Sequence, residues 1–325
     1  FDQLKIPKPH INLEVGSGSH AIQTARIMEK FEAVCLSESP DMVLVVGDVN
    51  STAACSLVAS KLHIKVCHYE AGLRSRDKGM PEEINRLVTD AITDLFITTS
   101  IDASENLISE GKNSDSIHML GNLMIDSLVS HLEIAGPQQL NLRDISGNPI
   151  DLSWKSELTP YTVMTFHRPS NVDEKGTLSI LVDEWLKTAD LMPIIFPIHP
   201  RTLAMLNKYS LLDRLISSPN IYLTGPLAYL EFLKLVSEAA LVITDSGGIQ
   251  EETTYLKIPC FTVRPSTERP ITIWEGSNQL VLAEEIFNKV KLARNIPKTE
   301  YKIPKYWEGQ AAKRIVDMLL KYSNI

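Results

Sequence analysis

Residues 241–252, LVITDSGGIQEE, decide how the rest of the chain is read. Leu241 to Thr244 is an apolar, β-branched run of the kind that forms a strand buried on both faces. It stops at Asp245-Ser246-Gly247-Gly248, and a helical pattern (Ile249, Thr253, Leu256) begins at once. Strand, Ser-Gly-Gly turn, helix is an arrangement that binds phosphate. Ser246 can cap the helix, Gly247 and Gly248 let the backbone approach a ligand, and the first-turn N–H groups with the helix dipole favour an anion. Glu251 and Glu252 follow about one and a half turns later, where acceptors suit ribose hydroxyls better than phosphate. An ordinary glycine-containing βα turn with acidic residues behind it has the same letters, so the surroundings carry the decision.

The same alternation surrounds this stretch. Strands are expected at 161–167, 193–199, 220–225, 259–264 and 279–283, with helices at 175–191, 201–216, 227–240, near 270–275 and at 283–295. The earlier half reads the same way: helix 21–36, buried strand 42–48, helix 51–62 capped by Ser51 or Asn50, strand 65–71, and a helix opened by Pro81. Strand 94–100, helix 102–111, strand 116–122 and helix 124–136 follow. Strands alternating with helices of this length mean parallel sheets. Residues 137–158 lose periodicity and gather turn residues, as a linker would. The fold class expected is α/β: two doubly wound, Rossmann-like domains facing across a cleft, over 1–145 and 146–307, with helix 308–325 packing back on the first. Ligands in such sheets sit at the carboxyl ends of strands.

Composition narrows the function classes. The chain has 325 residues, a net charge of −8 and 44% apolar residues, with mean hydropathy −0.03. This describes a globular protein and disfavours nucleic acid as a partner, while permitting a local cationic pocket for an anionic small molecule. No apolar run is long enough to cross a bilayer. Cys35, Cys55, Cys67 and Cys260 are scattered inside apolar runs without metal-ligand spacing, which reads as reduced thiols in a cytoplasmic protein.

The chemistry-bearing residues gather at strand ends. GDVNST (47–52) places Asp48 where a ligand would lie, or where a turn aspartate would. HYEAGLRSRDKGMPEE (68–83) concentrates Glu70, Arg74 and Glu82 around one strand end, and such groups are costly unless solvated or used. With Asp48 they could converge on one substrate atom. FHRPSN (166–171) ends a strand with His167 and Arg168, a pair able to donate to phosphate or move protons. His199 in HPRT is open between packing and ligand contact. RPSTERP (264–270) offers Arg264 and Arg269, and an arginine there could hold a diphosphate. Met124, Tyr229, Phe232 and Cys260 read as core.

Together GDVNST, HYEAGLRS, MPEEINR, MLGNLMIDSL, FHRPSN, PIHPRT, GPLAYLEFL, TDSGGIQEE and PSTERP occur in the order found in the non-hydrolysing UDP-N-acetylglucosamine 2-epimerases, and the chain resembles that family over nearly its whole length. The resemblance implies the two-domain GT-B fold and a UDP-sugar substrate. It implies Asp48, Glu70 and Glu82 as acid/base carboxylates and His167 as the essential histidine near the diphosphate. Ser246, Gly247 and Gly248 would form the diphosphate turn, Glu252 the ribose ligand and Arg269 the diphosphate arginine. It implies no metal or other cofactor, and a homodimer. Family members open with a strand and a Gly-Thr-Arg-Pro-Glu turn that has no counterpart here, so the expectation is a portion of a longer protein rather than a damaged copy.

The expected reaction is inversion at C2 of UDP-GlcNAc, giving UDP-ManNAc, or of a related UDP-2-acetamido sugar, for surface polysaccharide. Three alternatives are a hydrolysing epimerase, a GT-B glycosyltransferase that shares the nucleotide turn but needs an acceptor, and a UDP-sugar-binding regulator.

Overall fold

The computed structural model describes residues 7–136, 140–153, 155, 160–293 and 301–323. Parts of the expected linker and the end of the helix expected over 283–295 lie outside them. The chain forms two compact units, Phe1–Leu120 and Gly121–Ile325.

The first unit runs α1 (His20–Glu38), β1 (Met42–Val46), α2 (Asn50–Lys61), β2 (Lys65–Tyr69), α3 (Pro81–Ala91), β3 (Leu95–Thr98), α4 (Ile101–Ser109) and β4 (Ile117–Met119). Its four strands are parallel and follow sequence order, β1-β2-β3-β4. Val43 and Val45 of β1 pack with Ala59 and Val66. The alternate residues Leu44 and Val46 are exposed, so the continuous apolar run in β1 is not buried on both faces as its letters suggest. Helix α2 starts at Asn50, with Val49 in the cap position and no side-chain capping bond. The Thr52 hydroxyl instead donates to the Val46 carbonyl at 2.7 Å, tying helix to strand. Helix α3 inverts the usual amphipathic rule. Its buried side is Glu83, Arg86, Thr89 and Asp90, while Ile84 and Val88 are exposed.

The second unit contains α5 (Leu123–Ala135), β5 (Thr162–Thr165), α6 (Pro169–Val172), α7 (Lys175–Ala189), β6 (Ile194–Pro197), α8 (Pro200–Lys208), α9 (Leu212–Ile216) and β7 (Ile221–Thr224). It continues with α10 (Tyr229–Ser237), β8 (Leu241–Thr244), α11 (Gly247–Leu256), β9 (Cys260–Val263), α12 (Ile271–Trp274), β10 (Asn278–Val281), α13 (Ile286–Ala293) and α14 (Ala311–Ser323). The parallel sheet has the order β10-β9-β8-β5-β6-β7, which reverses direction between β8 and β5, the crevice where such sheets bind ligands. Both faces are covered, and alternate residues feed different cores. Met164, Ile243 and Phe261 join the cluster around Trp185, and Val163, Val242 and Cys260 the one around Tyr161. That two-sided burial is why these strands read as unbroken apolar runs.

Two features depart from the sequence reading. Helix α5 packs on α10, α11 and α14, so the compact units part at 120/121 rather than at 145/146. Asp126 of α5 accepts from the N–H groups of Ala311 and Ala312 at 3.0 and 2.7 Å, capping α14. Residues 140–153, expected as linker, are docked: Leu142 is buried, and Leu140, Ile150 and Leu152 pack on the Tyr161 core. The turn between them is closed by Asp144, whose Oδ1 accepts from the N–H groups of Ser146 and Asn148 at 2.8 and 2.9 Å.

Candidate active site

In the first unit the carboxylates sit at the carboxyl ends of neighbouring strands. Gly47 and Asp48 follow β1, and Glu70 follows β2. The Glu70 backbone has φ 70°, the left-handed region, which costs a non-glycine residue roughly 1–2 kcal/mol. The Glu70 carboxylate lies beside Gly47, its Oε2 3.9 Å from where a Gly47 Cβ would stand. Two residues on, Gly72 has φ 79° and could carry no side chain, since a Cβ would come within 2.1 Å of the Ala103 carbonyl oxygen. Glu82 opens α3. Asp48 and Glu82 line one cavity of about 360 Å³ that also takes in His20, Gln23, Asn50 and Asn85. The structure therefore brings Asp48 and Glu82 to one cavity, with Glu70 on the adjoining strand.

Two arginines show what the sequence reading missed. Arg86 was not singled out, yet its buried guanidinium reaches Asp48 Oδ2 through Nε at 3.1 Å and Nη2 at 2.6 Å, and Glu83 through Nη1 at 2.7 Å. Glu83 in turn accepts from the Ser75 and Arg76 N–H groups at 2.9 Å and from the Ser75 hydroxyl at 3.0 Å. Burial pushes the Glu83 carboxyl up, but these bonds from Ser75, Arg86 and Arg76 outweigh it and hold it below its ordinary value. Asp48 is thus fixed on one oxygen by a chain anchored in the loop after β2. The signal was present in PEEINRLVTDA, where Glu83, Arg86 and Asp90 recur at helical spacing on one face. Arg74, expected to meet substrate, is buried and paired with carboxylates of its own unit. Its side chain is 3% exposed, and its guanidinium contacts Asp90 at 2.8 Å and Glu110 at 2.7 Å. Asp90 also takes His68 Nδ1 at 2.7 Å and the Gly72 N–H at 3.0 Å, so this network fixes the loop that presents Glu70.

In the second unit the anion-binding features meet at the β8–β5 crevice. Thr165 and Thr244 are paired in register, their hydroxyls 2.8 Å apart, so the segments after β5 and β8 leave the sheet side by side. Ser246 takes the cap position of α11, but its hydroxyl makes no capping bond, contrary to expectation. Its N–H donates to Thr244 Oγ1 at 3.0 Å. A Cβ on Gly247 would lie 3.0 Å from Arg269 Nη1 and 2.8 Å from Glu268 Oε1, which puts Arg269 directly against the turn. Arg269 is held by Glu268 and by Glu251, the latter at 2.9 Å as an ion contact rather than an aligned hydrogen bond. Burial pushes Glu268 up, but Arg269 and Arg264 prevail and lower it to about 2.

His167 and Arg168 reach the turn from β5. His167 Nδ1 lies 3.0 Å from Asp245, and Arg168 Nε donates to the Asp245 carbonyl at 2.9 Å. His199 caps α8, its Nδ1 accepting the Arg201 N–H at 3.1 Å, so packing and ligand contact are both open to it. His167, His199 and Ser246 line a cavity of about 210 Å³ whose remaining walls include Pro226, Leu227, Phe232 and Ile249. Phe232, read as core, is a wall of this slot, whose apolar sides and polar mouth suit a flat base next to a phosphate. Tyr229, also read as core, donates to Glu252 at 3.3 Å. Burial raises Glu252 to about 7, an acceptor kept ready at a cost in desolvation.

A parallel α/β chain with a phosphate-binding turn at a switch point and a carboxylate cluster on its other sheet defines, as a class, a nucleotide-sugar enzyme of the GT-B type. The particular family follows from comparison with known proteins. A family model described as UDP-N-acetylglucosamine 2-epimerase matches residues 1–320, and the chain belongs to that family. It is 42% identical to the UDP-N-acetylglucosamine 2-epimerase of Methanocaldococcus jannaschii, over 98% of this chain and 86% of that protein. It is 35% identical to the UDP-2,3-diacetamido-2,3-dideoxy-D-glucuronate 2-epimerase of Pseudomonas aeruginosa, over 99% and 86%. The crystal structure of the M. jannaschii enzyme in complex with UDP-GlcNAc and UDP superposes with a TM-score of 0.85 at 39% identity, covering 99% of this chain and 87% of that one. Among the described residues no helix is long and apolar enough to cross a membrane.

Proposed function

We propose that this enzyme interconverts UDP-N-acetylglucosamine and UDP-N-acetylmannosamine by elimination and re-addition of UDP. The C2 proton of the sugar is too weakly acidic for direct abstraction. Loss of that proton to a carboxylate, with cleavage of the C1–O bond, yields UDP and a 2-acetamidoglycal. Return of a proton to the opposite face of C2, with the diphosphate oxygen rejoining C1, inverts the centre. The observation that carries this reading is the cavity shared by Asp48 and Glu82, with Glu70 beside Gly47: two-faced proton transfer at one carbon needs more than one carboxylate, and transfer to an acceptor does not. The Ser246-Gly247-Gly248 turn and Arg269 take the diphosphate and stabilise it as it leaves. His167 and Arg168 contact the same group, the slot beside Phe232 takes uracil, and Glu252 takes the ribose hydroxyls. A homodimer in the cytoplasm, with surface polysaccharide precursors as product, completes the proposal. The four free thiols support the cytoplasmic placement.

The test is proton NMR of UDP-GlcNAc incubated with the protein in D2O. A UDP-ManNAc anomeric signal with deuterium at C2 is expected. UDP with free sugar would identify a hydrolysing enzyme. An unchanged C2 proton in a protein that binds UDP would overturn the substrate assignment, and the UDP-diacetamido uronate would be tried in the same assay.

A further inference from the structure

Asp245 is fully buried at the end of β8, and four donors from one segment converge on its carboxylate. The His167 N–H lies 3.1 Å from each oxygen, the Arg168 N–H 2.9 Å and the Asn171 amide 3.1 Å from Oδ2, and His167 Nδ1 3.0 Å from Oδ1. Burial pushes this carboxyl up, but the bonds from His167, Arg168 and Asn171 prevail and hold it below its ordinary value. An ionised carboxylate only accepts, so His167 Nδ1 carries a hydrogen. In the neutral ring Nε2 then has a lone pair, and the ring can donate from Nε2 only by gaining a proton.

His199 is set the other way. Its Nδ1 accepts the Arg201 N–H at 3.1 Å, so the hydrogen of the neutral ring sits on Nε2. The two rings are 5.5 Å apart between centroids and tilted by 40°, and both line the cavity that Ser246 enters. Two histidines at neighbouring strand ends thus present opposite tautomers to one space.

We propose that Asp245 is the positioning residue for His167, fixing its Nδ1–H tautomer so that Nε2 gains a proton and meets the leaving diphosphate as a cation, while the backbone of α8 fixes His199 as a neutral Nε2–H donor beside it. The proton enters His167 Nε2 from solvent as the anion binds and returns there on release, so no net proton is consumed. Asp245 is the counter-charge already in place, and the ring adds a positive charge where negative charge develops. A neutral Nε2–H tautomer would donate a hydrogen bond at the same place without that charge. The inference rests on the UDP-sugar reading only for the identity of the anion.

A purely structural Asp245, tying down the loop after β5, would share most of these contacts, and the experiment separates the two. Imidazole 15N spectra of 15N-histidine-labelled protein, with and without UDP, are expected to show His167 as Nδ1–H when free and doubly protonated when bound. His199 should show Nε2–H in both. In Asp245→Asn the loop bonds keep an acceptor oxygen, and His167 should change tautomer. Turnover should fall by about 10²–10⁴-fold and UDP should bind more weakly, since the proton is taken up with the anion, and Asp245→Asn in a His167→Gln background should cost less than a further threefold. An Nε2–H signal for His167 in the free wild-type protein, or a neutral His167 ring in the UDP complex, would overturn the proposal. So would independent, multiplying losses for the two variants, the result a structural role predicts. If Asp245→Asn does not fold, the wild-type spectra decide alone. Absence of epimerisation with the expected UDP-dependent spectra would count against the proposed reaction and leave the histidine assignment standing.

Discussion

Replacing Arg86 with methionine keeps most of the side chain's length and removes only the guanidinium. Asp48 and Glu83 then lose their shared partner. Breaking a buried ion pair from one side costs about 3–5 kcal/mol when the remaining charge has nothing else. Here Glu83 retains three bonds, from the Ser75 and Arg76 N–H groups and the Ser75 hydroxyl, and the Asp48 side chain is 27% exposed. The cost should therefore lie at or just under the low end, about 2–3 kcal/mol. Catalysis should suffer more than stability, because Asp48 loses the contacts that fix its Oδ2. A catalytic group displaced by about 1 Å costs on the order of 10²-fold, so kcat should fall by about that factor with little change in KM. Urea unfolding at pH 7 with the slope compared between variants, together with epimerisation rates by NMR, measures both. An Arg86→Met protein within 0.5 kcal/mol of wild type (roughly the noise of surface substitutions) and with undiminished turnover would refute the positioning role given to Arg86.

Three further outcomes follow from the second unit and its charges. Gly247→Ala places a methyl 2.8 Å from Glu268 Oε1 and 3.0 Å from Arg269 Nη1, both held in a buried ion-paired network, so stability should fall by about 1–3 kcal/mol and UDP affinity by calorimetry about tenfold or more, equivalent to ~1.4 kcal/mol; unchanged affinity would contradict the placement. Glu252, raised to about 7 by burial, accepts ribose hydroxyls best when ionised, so UDP affinity should fall as pH drops through 7, and Glu252→Gln should bind more weakly and lose that dependence. Glu268 shifts the other way, from 4.5 to about 2: its folded value lies below its unfolded one, so its stabilisation is full above pH 4.5 and lost as pH falls toward 2. Glu268→Gln should flatten the acid limb of an unfolding-versus-pH curve over that window.

Much of the fold was legible because the second sheet is covered on both faces, and its strands announce themselves as short apolar runs between turns. The same rule misread β1, where Leu44 and Val46 continue the apolar run of their buried neighbours Val43 and Val45 and lie exposed. It gave no warning that α3 buries its charged side, since periodicity reports that a helix has two faces and not which one faces in. The site was legible where a residue type has a local mechanism, as at the Ser-Gly-Gly turn. It was illegible where the role depends on a partner distant in sequence: Arg86 reaching Asp48, Asp245 reaching His167, Tyr229 reaching Glu252. The ion pairs of Arg74 were illegible for the same reason, its partners Asp90 and Glu110 lying on α3 and just after α4.

In the proposed reaction UDP leaves C1 and returns during each inversion. Positional isotope exchange tests it directly: UDP-GlcNAc carrying 18O in the oxygen that bridges C1 and the β-phosphorus is incubated with the enzyme, and recovered substrate is examined by 31P NMR. Elimination frees that oxygen to exchange places with the non-bridging oxygens of the β-phosphate before re-addition, so the account predicts label scrambled into non-bridging positions. Inversion at C2 with the label retained wholly in the bridge would contradict it.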